Sequence, residues 1–294
     1  MRLITRGDLD GLTSAVLITE MEQIDSIELI HPQDITDKKF PVQPGDILAN
    51  LPYHPGCAKW FDHHLLTESN EKPPENFEGM HRHAPSTARV IWDYYKSPAL
   101  SRFEKLLKET DRMDSANLTV EDVTDPKGYI LLGYTIDPRT GLGKFQEYFL
   151  SLVHTLKSES IEQVLNLPDV KARIERIRTE WTEFQRLTKE HSWMDGNVVI
   201  TDFRNVDPIP VGNRFLVYTL FPDANVSVRV HWGPERKTVA VVLGHAIFNR
   251  TCNVNIGELM SDFGGGGHKG AGSALLQLET AEKDQREIIR RLKS

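Results

Sequence analysis

Cysteine is scarce in this chain: Cys57 and Cys252 are the only two among 294 residues, far apart and without a Cys-x-x-Cys partner. That spacing argues against a disulfide framework and a cysteine zinc knuckle, and it points to a reducing, cytoplasmic compartment. No apolar run approaches the roughly 18 to 20 residues that a bilayer span needs, so no membrane partner is expected. The opening Met1-Arg2-Leu3-Ile4-Thr5-Arg6 leads quickly into acidic groups, with no secretory apolar segment and cleavage site. Basic charge is in deficit too, with 35 Lys and Arg against 42 Asp and Glu and a formal net charge of −7. This balance argues against a broad cationic face that holds duplex DNA by counterion release, so a nucleic-acid partner would be short, single-stranded and locally held. Aromatic residues are 8% of the chain, and few stand where they would serve as stacking platforms for bases. Internal repeats, low-complexity tracts and Gly/Ser tethers are absent.

What remains is an ordinary globular composition, 39% hydrophobic and 26% charged, long enough for two domains that each bury a core. Residues 2–5, 27–30, 46–51 and 57–61 read as strands, with a helix after the first and another starting at Pro85-Ser86-Thr87. Strands alternating with helices predict an α/β domain with a largely parallel sheet. Ligands of such sheets sit outside the carboxyl ends of the strands, where Asp8, Asn50 and Asp62 all fall. From about Glu159 to Glu190 the pattern becomes charged and amphipathic, with Val170, Ile174, Ile177, Trp181 and Phe184 at helical spacing. After Gly196, residues 197–201, 215–220, 225–231 and 237–243 read as short strands of a smaller mixed-sheet α/β domain. The expected division is 1–155, a helical connector over 156–194, and 195–294.

Chemistry begins at Gly7-Asp8-Leu9-Asp10-Gly11. Two carboxylates on a sharp turn are hard oxygen ligands for Mg²⁺ or Mn²⁺, although such a string is more often a solvated turn or helix cap. Asp62-His63-His64, after the apolar Trp60-Phe61, adds imidazole nitrogen, which favours Mn²⁺ or a similar transition metal over Mg²⁺. Near the other end, Gly264-Gly265-Gly266-Gly267 leads into His268 and Lys269. Consecutive glycines let backbone N–H groups approach an anion, and His268 and Lys269 add donors, so Gly265, Gly266, Gly267 and His268 are candidates for phosphate capture. Arg250 is a further phosphate candidate, with Arg229 behind it and Arg139 and His83 lower still.

Taken in order, Asp8-Leu9-Asp10-Gly11, Asp62-His63-His64 and Gly264-Gly265-Gly266-Gly267-His268-Lys269-Gly270-Ala271-Gly272 resemble the motifs of the DHH phosphoesterase family with its DHH-associated C-terminal domain. Thr5-Arg6-Gly7-Asp8-Leu9-Asp10-Gly11 and Asp137-Pro138-Arg139-Thr140-Gly141-Leu142-Gly143 are most similar to a branch labelled exopolyphosphatase-related. The resemblance implies a hydrolase with a metal centre on Asp8, Asp10, His63 and an acidic residue of the fourth motif, Asp111 with Asp114 as the alternative. It also implies that His64 contacts phosphate or moves a proton, and that Asp62 fixes the local geometry. The cofactor would be Mn²⁺, with Mg²⁺ as the other candidate, one or two ions.

Two positions depart from the family pattern. Arg6 stands near the acidic pair where many members have a His, and Asn50 ends the third strand where they have a bridging Asp. A guanidinium cannot coordinate a cation, and an amide is a neutral ligand where a carboxylate is anionic. Arg6 is therefore expected to take over the charge of a missing metal, pairing with a phosphate oxygen or with Asp8. The function expected is hydrolysis of a phosphodiester or phosphoanhydride, such as a short oligonucleotide, a dinucleotide or polyphosphate, in a cleft between two domains. The alternative is a catalytically weak nucleotide- or phosphate-binding protein with a degenerate metal site.

Overall fold

A computed structural model describes residues 1–66, 71–137 and 144–293. Arg139 and most of the stretch from Asp137 to Gly143 lie outside them. The chain divides into two compact units, Met1–Leu118 with Pro126–Arg176, and Thr119–Asp125 with Ile177–Ser294. Among the described residues no helix is long and apolar enough to cross a membrane.

The first unit runs β1 (Arg2–Thr5), α1 (Leu9–Met21), β2 (Ser26–Leu29), α2 (Pro32–Thr36), β3 (Ile47–Ala49), β4 (Lys59–Asp62), β5 (Gly79–His81) and α3 (Thr87–Tyr95). A 3₁₀ turn at Pro98–Phe103 leads into α4 (Glu104–Asp114). After α5 (Val120–Thr124), which belongs to the second unit, come α6 (Gly128–Thr135), α7 (Phe145–Thr155), α8 (Ile161–Leu165) and the long α9 (Pro168–Glu190). The five strands lie in the order β2-β1-β3-β4-β5, every neighbour parallel. This is the parallel α/β sheet expected from the alternating pattern. Helix α1 is buried at every position from Leu9 to Ile18, with its polar Asp10 and Thr13 hydrogen-bonded inside the unit. It packs against α3, α4 and α7, and its core includes Leu3, Ile47, Phe61, Leu107 and Phe149.

The second unit contains β6 (Ser192–Asp195), β7 (Val198–Asp202), α10 (Leu216–Leu220), β8 (Val226–Trp232), β9 (Thr238–His245), α11 (Ile256–Ser261), β10 (Gly266–His268), β11 (Ala271–Gln277) and α12 (Ala281–Leu292). Its sheet order is β10-β11-β9-β8-β7-β6, with β7–β8 parallel and the other pairs antiparallel. Val226, Val228 and Val230 alternate with half-buried residues along β8 and bury one face with Val239, Val241, Leu243, Ala274 and Leu276. That face is covered by α11 and α12.

Several elements differ from the sequence reading. Residues 216–220 are helical where apolar and β-branched content predicts a strand. Asn213 starts the turn, its Oδ1 accepting the Phe215 N–H at 3.0 Å and its C=O the Leu216 N–H at 3.0 Å. The amphipathic stretch is two helices, α8 and α9, because Pro168 can open a helix but cannot continue one. The short β5 has no counterpart in the sequence reading. Of the glycine run, Gly266 and Gly267 lie in β10, the edge strand that pairs with β11 and is not among the expected strands.

Candidate active site

Parallel register brings three strand ends into line. Thr5 of β1 pairs with Ala49 of β3, and Ala49 with Phe61 of β4. The residues that follow, Arg6, Asn50 and Asp62, therefore leave the sheet side by side at its carboxyl edge. Asp8 caps α1 there, its Oδ1 accepting the Gly11 N–H at 2.8 Å. Gly11 is required at this turn, since a Cβ would lie 1.9 Å from the Arg6 carbonyl oxygen.

Asp10, in the first turn of α1, is fully buried and rests on the start of α3. Its two oxygens accept the backbone N–H of Thr87 at 2.9 Å and of Ala88 at 2.8 Å. Ser86 caps that helix by accepting the Arg89 N–H at 3.0 Å. His63 follows β4, and its Nδ1 lies 3.0 Å from the Ala84 carbonyl. A carbonyl only accepts, so Nδ1 carries the proton and Nε2 presents a lone pair. Burial, and then the charge of His64, hold His63 below the usual imidazole range, which keeps it in this ligating form.

Nε2 of His63 lies 3.1 Å from Asp114 Oδ2 and 3.9 Å from Asp10 Oδ2. Among the described residues, Asp10, His63 and Asp114 offer three ligand atoms all within 4.8 Å of one another. Nε2 is nevertheless buried without a hydrogen-bond partner. Both carboxyls are pushed above the usual carboxylate range, first by burial and then by acidic neighbours: Asp8 in the case of Asp10, Asp10 and Asp8 in the case of Asp114. An imidazole nitrogen and two crowded carboxyls converging on one point form a donor set that fits a divalent cation, which would relieve their mutual repulsion. Asp114 is held there through α4, where Thr110 donates to the Leu106 carbonyl at 2.9 Å and shares a 2.7 Å hydrogen bond with Thr13 of α1.

Asp111, the first choice for the fourth acidic residue, is engaged elsewhere. It accepts from Ser86 Oγ at 2.7 Å and from Arg89 at 2.5 and 3.0 Å, and the acidic residue beside His63 is Asp114. Asp62 and His64 form their own pair, with Nδ1 of His64 donating to Asp62 Oδ1 at 2.8 Å. Burial alone would lower the pKa of His64, but the hydrogen bond and charge of Asp62 outweigh it and raise the group, favouring the imidazolium. His81, which sequence reasoning missed, donates from Nε2 to the His64 carbonyl at 2.7 Å while its ring stacks 4.8 Å from that of Trp60. The Met80-His81-Arg82-His83 string gives no signal for it, because β5 itself is too short to show a periodicity. Asp8 lies with Arg6, whose Nε is 3.0 Å from Oδ2, and with Asn50, whose Nδ2 donates to Oδ1 at 3.1 Å.

In the second unit, Gly267 has φ +155°, and a Cβ there would lie 2.2 Å from the Ala271 carbonyl oxygen. A Cβ at Gly265 would lie 2.1 Å from the Ser273 carbonyl oxygen of β11. Close strand pairing thus accounts for these two glycines, whereas Gly266 faces open space. His268 ends β10 exposed, and Arg250 is exposed in the segment after β9 with its Nε donating to the Ile247 carbonyl at 2.9 Å. Arg229 is half-buried on β8 between Thr201 and Val242, and His83 is exposed before α3.

No protein-family model and no curated protein matches the chain. Solved structures do. PggH, a pGpG-specific phosphodiesterase from Vibrio cholerae, is 35% identical over 99% of this chain and 98% of its own, with a TM-score of 0.85. RecJ from Thermus thermophilus in complex with Mn²⁺ shares the fold at 13% identity and a TM-score of 0.59, over 99% of this chain and 52% of its own. The DHH domain of a member of the s1p family of ribosomal proteins does so at 12% identity and 0.52, over 100% of this chain and 86% of its own. On this likeness over essentially its whole length, the chain belongs to the DHH phosphoesterase family and is a hydrolase acting on phosphoester bonds.

Proposed function

We propose that this protein is a metal-dependent phosphodiesterase acting in the cytoplasm on short linear dinucleotides, with pGpG the substrate to test first. The observation that carries the metal reading is the buried, unpartnered Nε2 of His63 between Asp10 and Asp114. The substrate reading rests on 35% identity to a pGpG-specific enzyme. Asp10, His63 and Asp114 would hold the ion, and the nitrogen ligand favours Mn²⁺ over Mg²⁺. A divalent ion at such a site supplies positive charge to a phosphoryl oxygen and lowers the pKa of water.

The chain's own residues do the rest. The amides of Thr87 and Ala88 aim the Asp10 carboxylate, and the Ala84 carbonyl fixes the tautomer of His63. His64, whose imidazolium is favoured by Asp62, would donate a hydrogen bond to a phosphoryl oxygen and pass its proton to the departing alkoxide. Gly266, His268 and Arg250 of the second unit are proposed phosphate-binding groups on the strength of their residue types.

The test is product release from pGpG, from other 5′-phosphorylated dinucleotides and from polyphosphate, by the full chain in Mn²⁺ and in Mg²⁺. GMP release from pGpG is expected, faster in Mn²⁺, with His63→Ala lowering kcat/KM about a hundredfold or more. Failure to cleave any phosphodiester in either ion would overturn this reading. The amide of Asn50 beside Asp8 favours one other reading, a binding protein with a weakened centre, whose sign would be tight pGpG binding without turnover.

A further inference from the structure

Both oxygens of the Asp8 carboxylate are partnered by the protein itself. Its Oδ1 accepts from Gly11 N–H and Asn50 Nδ2, and its Oδ2 faces Arg6 Nε at 3.0 Å. Among the described residues, Asp10 and Asp114 form no ion pair with Arg or Lys and crowd the His63 imidazole instead. Asn50 is 2% exposed, at the end of β3 with φ +58°. Being an amide it can donate to Asp8, where a carboxylate would repel it. The Arg6 side chain is 45% exposed. Arg6 follows β1 at the carboxyl edge of the sheet, where Asn50 and Asp62 follow β3 and β4.

Given the metal reading above, we propose that this edge holds a single divalent ion, on Asp10, His63 and Asp114, and that Arg6, fixed by Asp8 and Asn50, supplies the second positive charge to the substrate's phosphoryl group. Asp8 is then a positioning residue for Arg6 and not a metal ligand. A second ion beside Asp8 would have to displace the guanidinium and turn the Asn50 amide away from the oxygen it now serves. With the guanidinium in place, a divalent ion beside Asp8 would face a like charge at close range, and the repulsion scales with the product of the two charges. A guanidinium also keeps its charge across the working pH range and offers two parallel donors to phosphate.

Calorimetric titration of the metal-free full chain with Mn²⁺ tests this without reference to turnover. One tight ion per chain is expected; two would overturn the proposal, and none would overturn the metal reading on which it stands. Asp8→Asn should leave the Mn²⁺ affinity within about threefold, whereas Asp10→Asn should weaken it about tenfold or more. Equal losses in the two variants would make Asp8 a ligand and the proposal wrong. Inorganic phosphate, titrated into the Mn²⁺-loaded protein, should bind about tenfold more weakly to Arg6→Ala than to wild type, with Mn²⁺ affinity retained. An unchanged phosphate affinity would remove the role given to Arg6. Hydrolysis of pGpG with two ions bound would leave the enzymatic reading standing while this one fell.

Discussion

Asp111 and Asp114 sit one turn apart on α4, yet their surroundings give them opposite tasks. Asp111 is tied to Ser86 and Arg89 of the α3 start, and Asp114 lies beside His63 with its side chain 30% exposed. Asp114→Asn should therefore weaken Mn²⁺ binding about tenfold or more, while Asp111→Asn should leave it intact and cost about 1–3 kcal/mol of stability through the loss of a charged hydrogen bond. Calorimetry and urea denaturation of both variants measure the two effects, and a reversed pattern would reassign the ligand. This choice is not legible in the sequence. Residues three apart on a helix share a face, so periodicity presents both carboxylates equally. What separates them is Arg89, which reaches Asp111 only once α3 has docked. Asp10 and His63 are more readable, because strand ends of a parallel sheet converge by topology alone. The pairing of Arg6 with Asp8 is likewise visible as one of two options, since the neighbours are two residues apart.

Three elements of the first unit meet at Glu22, the residue that ends α1. Lys59 of β4 donates to its Oε1 at 2.5 Å, and Tyr95 of α3 donates to the same oxygen at 2.7 Å. Burial alone would raise the carboxyl, but these two donors outweigh it and hold Glu22 below its ordinary value of 4.5. A depressed pKa stabilises the fold fully above 4.5, and that contribution disappears as pH falls through the lower folded-state value. Glu22→Gln should thus be less stable than wild type by about 1–2 kcal/mol at neutral pH, and the gap should narrow at an acid pH below 4.5. Urea melts at the two pH values would contradict this if the gap persisted in acid. Elements with strong alternation, such as β8, can be read from the chain, whereas Leu216–Leu220 cannot. Its residues suit a strand, and the Asn213 turn and burial of Leu216, Val217 and Tyr218 override that preference. The edge hairpin escapes because glycine carries no side-chain periodicity. Its pairing is revealed only by how closely Gly265 and Gly267 approach the facing strand.

Across the whole molecule the formal charge is −7, while the sheet edge of the first unit carries Arg6 and His64 among its acidic groups. A long polyanion meets net repulsion, and a small one can be held by the local groups. The ligand cluster also has a consequence in time. Asp10 opens α1, His63 follows β4 and Asp114 ends α4, so the three donors are remote along the chain and meet only when these elements have closed on one another. An ion cannot gather them from the disordered chain without bearing the loop-closure entropy first. It should act after the folding barrier, slowing escape from the native state and leaving the refolding rate almost unmoved. At an Mn²⁺ concentration about a hundredfold above Kd, linkage supplies about 2.7 kcal/mol, which corresponds to unfolding about a hundredfold slower than in chelator. Stopped-flow traces in denaturant, with Mn²⁺ and with EDTA, would display this as a drop in the unfolding limb alone. Acceleration of the refolding limb would instead mean that the ion collects its ligands early and guides the closure of the sheet edge.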